Sequence, residues 1–301
     1  MGTIVVPCPD LFRGPHKRSD PDAGAKYAAE GPLAALAAGA RPAAFIAESL
    51  PSVAGQIELP PGYLRAVYAG VRAAGGVCIA DEVQTGFGRL GDDAFWGFMT
   101  HGVVPDIVTL GKPIGNGHPM GAVITTRAIA DAFDDGMEYF CTGGGGPVAT
   151  AAGRAVLAVL RDEALPRNAA VVGAHLKAAL AAIAARHAII GDVRGRGLFL
   201  GVELVRADGA PATEEAAYVC DRLRARGVLV GTEGPAHSVL KVRPPLCFSV
   251  RDADFFVAAL DATLAEDGVR APEPVPARAA GRGAILLGAA AVVALAAALA
   301  R

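Results

Sequence analysis

Three short apolar runs, each closed by a charged residue or leading straight into one, constrain this chain more than any other feature. Pro42-Ala-Ala-Phe-Ile-Ala-Glu48 is followed by a helical stretch from Pro61 to Ala74. Val77-Cys-Ile-Ala-Asp81 is followed by irregular residues, and Asp106-Ile-Val-Thr-Leu110 runs into Gly111-Lys112. Continuous apolar runs of this length, separated by longer segments, read as parallel strands buried on both faces and joined by crossovers. A fourth run, Gly121-Ala-Val-Ile-Thr-Thr126, follows too soon for another crossover, so an edge or reversed strand of the same sheet is expected. Ahead of the first run, a Pro/Gly/Asp-rich opening (Pro7 to Pro21) precedes an Ala-rich helix from Ala23 to about Gly39.

The second half has a different rhythm. Residues 147–187 are rich in Ala, Leu and Val at helical spacing, with a break near Pro166. Strand-like Gly191–Arg194, Leu198–Leu204, Val228–Val230 and Leu240–Val242 follow, with helices expected at Thr213–Gly227 and Arg251–Glu266. Thr213 and the two acids behind it resemble a capped helix start. Strands mixed with helices without βαβ alternation suggest a smaller α+β domain. The chain therefore divides into a mostly parallel-sheet α/β portion at 1–155, a smaller domain at 156–268, a Pro/Ala/Arg/Gly linker at 269–283 and an apolar Ala-rich tail at 284–301.

That tail belongs to an uncharged stretch of 18 residues from Gly283 to Ala300. As a helix it would rise about 27 Å against a hydrocarbon core of roughly 30 Å, so a short membrane anchor is one reading. A helix held mainly by the propensity of Ala is the other. Elsewhere, 52% hydrophobic against 19% charged residues excludes disorder as the dominant state. A net charge of −2 with no Lys/Arg stripe argues against nucleic acid as a partner. Five scattered cysteines and an opening without a leader pattern suggest a reducing, cytoplasmic setting. The histidines lack ligand spacing, so no metal site is expected.

Glu48, Asp81 and Lys112 stand at or just beyond the ends of three runs, and open parallel sheets bind ligands beyond the carboxyl ends of their strands. Taken singly, each would be a charge meeting water. The motifs around them carry more. Cys78-Ile-Ala-Asp-Glu-Val-Gln-Thr-Gly-Phe-Gly-Arg89, followed by Pro105-Asp-Ile-Val-Thr-Leu-Gly-Lys112, resembles the signature of class III pyridoxal-phosphate-dependent aminotransferases. The likeness runs from about Pro9 to Glu266 and includes Arg194-Gly-Arg-Gly-Leu198 and Pro244-Pro-Leu246. Ala47–Gln56, Gly115–Pro119, Pro211–Ala217 and Lys241–Ser249 look most like the ethanolamine-phosphate phospho-lyase branch, which is often called alanine–glyoxylate-aminotransferase-like.

The resemblance implies an aspartate-aminotransferase-like (type I) fold, here the C-terminal part of the large domain plus the small domain. It implies pyridoxal 5'-phosphate as cofactor, with Lys112 as its covalent anchor and Asp81 keeping the ring nitrogen protonated. Val83 would share Asp81's side of an extended strand end and pack on one ring face, while Gln84 would donate to the phenolic oxygen and Glu48 would line the slot. Thr142 would reach the cofactor phosphate of a neighbouring subunit, implying a homodimer. The Gly143–Gly146 run could cradle an anion or be an ordinary turn.

Two departures stand out. Val53 stands where typical class III transaminases carry a second glutamate, and Lys241, with Arg243 two residues later, stands where they use an arginine for the substrate carboxylate. Both changes suit an amine bearing a phosphate. The resemblance also implies a preceding segment, with a Gly/Ser phosphate-binding turn and a ring-stacking aromatic, that has no counterpart before Met1. A truncated or two-chain enzyme is therefore expected. The leading expectation is a lyase that releases phosphate and ammonia from a phosphorylated amine. Transamination through the same residues is the alternative, and an inactive scaffold or interaction subunit is a third. Gly195–Gly201 superficially suggests a dinucleotide loop but precedes a strand instead of following one. Ser49 and Ser52 lack a nucleophile-elbow context.

Overall fold

A computed structural model describes residues 2–267 and 269. The tail at 284–301 and all of the linker except Val269 lie outside the described residues. Among those described, no helix is long and apolar enough to cross a membrane.

The Ala-rich opening forms two helices, α1 (Ala23–Glu30) and α2 (Pro32–Ala37), where one was expected. Gly31 separates them, and Pro32 at the next position cannot continue a helix from behind, because its ring replaces the N–H and crowds the preceding turn. Strands β1 (Ala44–Glu48) and β2 (Val77–Asp81) flank helix α3 (Tyr63–Ala73), and β3 (Ile107–Leu110) is followed by β4 (Ala122–Thr125). The four form one sheet in the order β1-β2-β3-β4. The first three strands are parallel and β4 runs antiparallel to β3, as the short connection requires.

Helix α3 buries Tyr63, Leu64, Val67, Tyr68 and Val71 on one stripe, against Tyr27 and Ala28 of α1 and Cys78 of β2. Further along the same face of β2, Ala80 joins a second cluster with Phe87, Phe98, Val108, Leu110 and Leu160.

Beyond helix α4 (Arg127–Phe133), the long helical region splits into α5 (Pro147–Asp162) and α6 (Leu165–Ala184). The break falls at Ala164, whose φ of +50° is left-handed, and Pro166 sits in the first turn of α6, where its missing N–H costs nothing. The second sheet has the order β5-β6-β8-β7, built from β5 (Ile190–Arg196), β6 (Phe199–Leu204), β7 (Gly231–Glu233) and β8 (Val239–Val242), all antiparallel. Its apolar face, with Leu198, Leu200, Val202, Leu204 and Leu240, packs on α6, α7 (Thr213–Ala225) and α8 (Val250–Leu264).

Three local expectations change. Val228–Val230 is not a strand, and β7 lies just beyond it. Thr213 is not the cap of α7: Ala212 is, and the Thr213 hydroxyl donates to Ala236 O at 2.6 Å, tying the helix to the β7–β8 connection. The capping box instead opens α8, where Ser249 and Asp252 satisfy each other's backbone N–H groups.

The two sheets meet at the β5–β6 hairpin. Gly197 has φ +57°, and a Cβ there would lie 2.4 Å from Arg89 O, so only glycine admits this approach. This close packing is what the Gly-rich run at 195–201 serves. A buried charge network reinforces the contact. Arg194 donates to Glu203 Oε2 at 2.5 Å, to Asp192 Oδ2 at 3.1 Å and to Gly55 O at 2.8 Å. Arg13 and Arg18, both partly exposed, close the outer sides of Glu203 and Asp192.

Removing one member of a buried network strands the others without compensation. Arg194→Met is therefore expected to cost about 3–5 kcal/mol in urea unfolding. Arg13→Met, whose side chain is partly in water, should cost clearly less. Equal losses from the two variants would contradict the network as described.

Candidate functional site

The parallel register aligns Ala44 with Val77 and so brings Glu48 level with Asp81 at the ends of β1 and β2. Asp81 in turn pairs with Thr109 of β3, three residues before Lys112. Gly111 is extended, and Lys112 then adopts φ +41°, a left-handed conformation that a lysine takes only when its surroundings enforce it. Pro113 continues into a 3₁₀ turn, Lys112–Gly115, so the chain leaves the sheet abruptly at this lysine.

Asp81 Oδ1 accepts the Val83 N–H at 3.0 Å, which turns the chain at once. Val83 is therefore placed by an Asx-type turn and not by the strand alternation expected for it. It still lies beside Gly111, where a Cβ would approach both Val83 methyls at 3.5 Å. Gln84 is buried, and its Oε1 has no hydrogen-bond partner. Buried side-chain amides are nearly always paired, so this one marks a position where a ligand's polar atom is accommodated.

Between them, Glu82 is fully buried. Its carboxylate accepts Ser49 Oγ at 2.5 Å, Thr85 Oγ1 at 2.7 Å, and the N–H groups of Gly97 and Phe98 at 2.7 and 2.9 Å. Sequence reasoning passed over Glu82 and saw in Ser49 only a failed nucleophile.

The second sheet contributes cations. Lys241, on β8, forms an ion pair with Glu233 of β7. Arg243, just past the end of β8, is half-buried and has no hydrogen bond or ion pair among the described residues. It is held in place from behind by Arg89, whose Nη1 donates to Leu198 O at 3.0 Å and Pro244 O at 2.9 Å. Burial, with Arg243 adding to it, lowers Arg89 to about 10.

Charges on the two sheets act on one another. Partial desolvation holds the Lys112 ammonium below the usual lysine range; Arg243 and Lys241 push it further down, and Glu48 and Asp81 partly restore it. Burial raises Glu48, with Asp81 and Glu233 adding to it, while the Ser52 N–H at 2.9 Å and Lys112 oppose. Burial also lowers Arg243, opposed by Glu233 and Glu48. The structure thus brings together Glu48, Asp81, Lys112, Lys241 and Arg243, with Val83 and Gln84 on the same turn as Asp81. Thr142 lies apart from them in the exposed turn Cys141–Gly146. Glu233 escaped sequence reasoning, because its partner is visible only once β7 and β8 are in register.

A lysine at a distorted strand end, an acid one strand over and cations from a second sheet thus share one charge cluster. Residues 5–264 match the class III aminotransferase family, and the chain belongs to it. Pyridoxal 5'-phosphate is the cofactor of this family. The chain is 52% identical over 226 residues to alanine–glyoxylate aminotransferase 2 homolog 2, mitochondrial, of Arabidopsis thaliana, covering 74% of this chain and 47% of that protein. It is 40% identical over 277 residues to ethanolamine-phosphate phospho-lyase homolog 1 of Caenorhabditis elegans, covering 86% of this chain and 59% of that protein. Among solved structures, a phospholyase from Arthrobacter in complex with phosphoethanolamine superposes with a TM-score of 0.80 at 38% identity, over 88% of this chain and 63% of the other. The chain spans about half the length of the curated relatives it matches.

The charge balance around Lys112 has a sign that can be read. Its reaction with the aldehyde of added pyridoxal phosphate should show a pH midpoint below the ordinary lysine value. Arg243→Gln should move that midpoint up, and Glu48→Gln should move it down. Absorbance titration of the three proteins checks this, and a midpoint unmoved by either variant would contradict the arrangement.

Proposed function

We propose that this chain acts as a pyridoxal-phosphate-dependent lyase that eliminates phosphate from a phosphorylated amine such as ethanolamine phosphate. The observation that carries the reading is Arg243, a half-buried guanidinium with no hydrogen bond or ion pair among the described residues, set in the same charge cluster as Lys112. Arginine's planar fork matches a phosphate, and leaving it without an anion in a partly dry site is unfavourable. The likeness to a phospholyase in complex with phosphoethanolamine supports the same substrate class.

The residues fit the cofactor. Asp81 uses Oδ1 for Val83 and has Oδ2 left to hold a proton at the pyridine nitrogen. Gln84, its Oε1 without a partner here, would turn its amide N–H to donate to the phenolic oxygen, and Val83 would meet one ring face. Lys112 would anchor the aldehyde carbon, and its lowered basicity suits an amine that also takes a proton from the carbon bearing the substrate's nitrogen. When bound, the cofactor supplies a sink for the electron pair left on that carbon. Arg243 would hold the phosphate, with Lys241 beside it. The C–O bond to phosphate then breaks with its electrons leaving on phosphate, and water hydrolyses the freed enamine to an aldehyde and ammonia. Transamination is the second reading, favoured by the aminotransferase name of the Arabidopsis relative. We also propose two parts, one around each sheet; residue 155 falls within α5, whose Leu160 packs with Ala80, Val108 and Leu110, so the division is better placed at the break at Ala164.

We further propose a homodimer. Val123, Phe133, Met137, Tyr139, Phe140 and Val148 surround Thr142 in sequence and are all more than half exposed, a concentration of exposed apolar side chains that suits an interface.

With cofactor and phosphoethanolamine, the chain should release phosphate and ammonia in equal amounts, and Lys112→Ala should lower the rate at least about a hundredfold. Amine transfer to a keto acid without phosphate release would replace the lyase reading with the transaminase one. In sedimentation, the chain should run as a dimer that a Tyr139→Glu, Phe140→Glu double variant dissociates; a monomeric parent would defeat the dimer proposal.

A further inference from the structure

Strands β7 and β8 pair with Gly231 opposite Lys241 and Glu233 opposite Val239. Gly231 and Glu233 are two residues apart, so they share a face, and Glu233 lies diagonal to Lys241 within reach of a long side chain. The ion pair between them uses this diagonal. Across β8 on the other side, Lys241 faces Gly201 of β6, which offers no side chain to compete for it.

This corner of the sheet is tied to the end of β1. The Gly234 N–H, next to Glu233, donates to Val53 O at 3.0 Å. Val53 belongs to the loop that begins at Glu48, and it stands where typical class III transaminases carry a second glutamate. In this chain a carboxylate arrives next to that loop from the neighbouring sheet instead. It is not a spectator there: its charge reaches both Glu48 and Arg243.

We infer that Glu233 is a specificity-determining residue: by holding Lys241 in a neutral pair it leaves Arg243 as the cation for the substrate's anion, and so selects amines whose nitrogen-bearing carbon carries no carboxylate. This statement rests on the lyase reading, in which the substrate's phosphate occupies Arg243. A carboxylate beside the reacting amine has only Lys241 to turn to once Arg243 is taken. To use it, the ligand must break the Glu233 pair and leave that acid unpaired next to Glu48. An amine with a single distant anion avoids this cost, because it engages Arg243 and leaves the pair intact.

The test measures binding and not turnover. The full chain loaded with cofactor is titrated calorimetrically with ligands whose C–P bond cannot be eliminated, 2-aminoethylphosphonate against 2-amino-3-phosphonopropionate, with ethylamine as the reference that lacks the anion. The two phosphonates differ only in a carboxylate on the nitrogen-bearing carbon. Glu233→Gln should improve the carboxylate-bearing member relative to its partner by roughly tenfold, the scale of one unit charge at a partly exposed contact. Lys241→Met should shift the same ratio the opposite way, and Glu233→Asp should keep it near the parent value. A structural lesion would move both charge variants together; shifts in the same direction, or an unmoved ratio, overturn the inference. If the phosphonate adds no affinity over ethylamine in the parent protein, the lyase reading fails and the inference with it; if it adds affinity while the ratio ignores Glu233→Gln, only the role of Glu233 fails.

Discussion

The buried carboxylate of Glu82 is the joint on which the site depends. A carboxyl group in a protein interior is tolerated only when hydrogen bonds replace its lost water, and Glu82 collects four. One donor comes from Ser49 at the end of β1, one from Thr85 in the turn after β2, and two from the 3₁₀ turn Gly97–His101 that covers them. Glu48 and Asp81 are the immediate neighbours of two of these residues. Their placement therefore follows from a carboxylate that takes no part in the chemistry itself.

The second requirement is that two sheets of different construction meet with little slack. Gly197 lets the β5–β6 hairpin touch the Arg89–Leu90 segment, Gly195 lets the hairpin's own strands close on Phe199, and Arg89 grips Leu198 O and Pro244 O from the other direction. This places Arg243 and Lys241 within electrostatic range of Lys112, and the lowered basicity of that lysine is the sum of burial and their charges. The Arg194–Glu203–Asp192 network lies behind the same junction. Its buried charges are stabilising only as a set, so they favour one docking of the sheets over nearby alternatives.

The chemistry-bearing residues at strand ends were legible because parallel strands leave a simple trace: apolar runs that stop where the chain turns out of the sheet. Glu48, Asp81 and Lys112 could be picked out this way, and the motifs around Asp81 and Lys112 named the family. Boundaries were less legible. Val228–Val230 is as apolar as a strand, yet the ladder begins at Gly231, because pairing is decided by the partner strand and not by local composition. Thr213 looks like a cap from its neighbours but spends its hydroxyl on Ala236, 23 residues away.

The sequence by itself determined the class of fold, the family, the cofactor and the acid and amine at the strand ends, since each is written in local pattern and in motif. Only the tertiary structure decided what the charges do to one another. That Glu82 is a joint, that Arg243 has no ion pair among the described residues and that Lys241 pairs with Glu233 depends on register between strands and on the docking of two sheets. The physical reason is that hydrogen bonds and ion pairs act over a few ångströms of space, and residues that distance apart can be eight or a hundred positions apart along the chain.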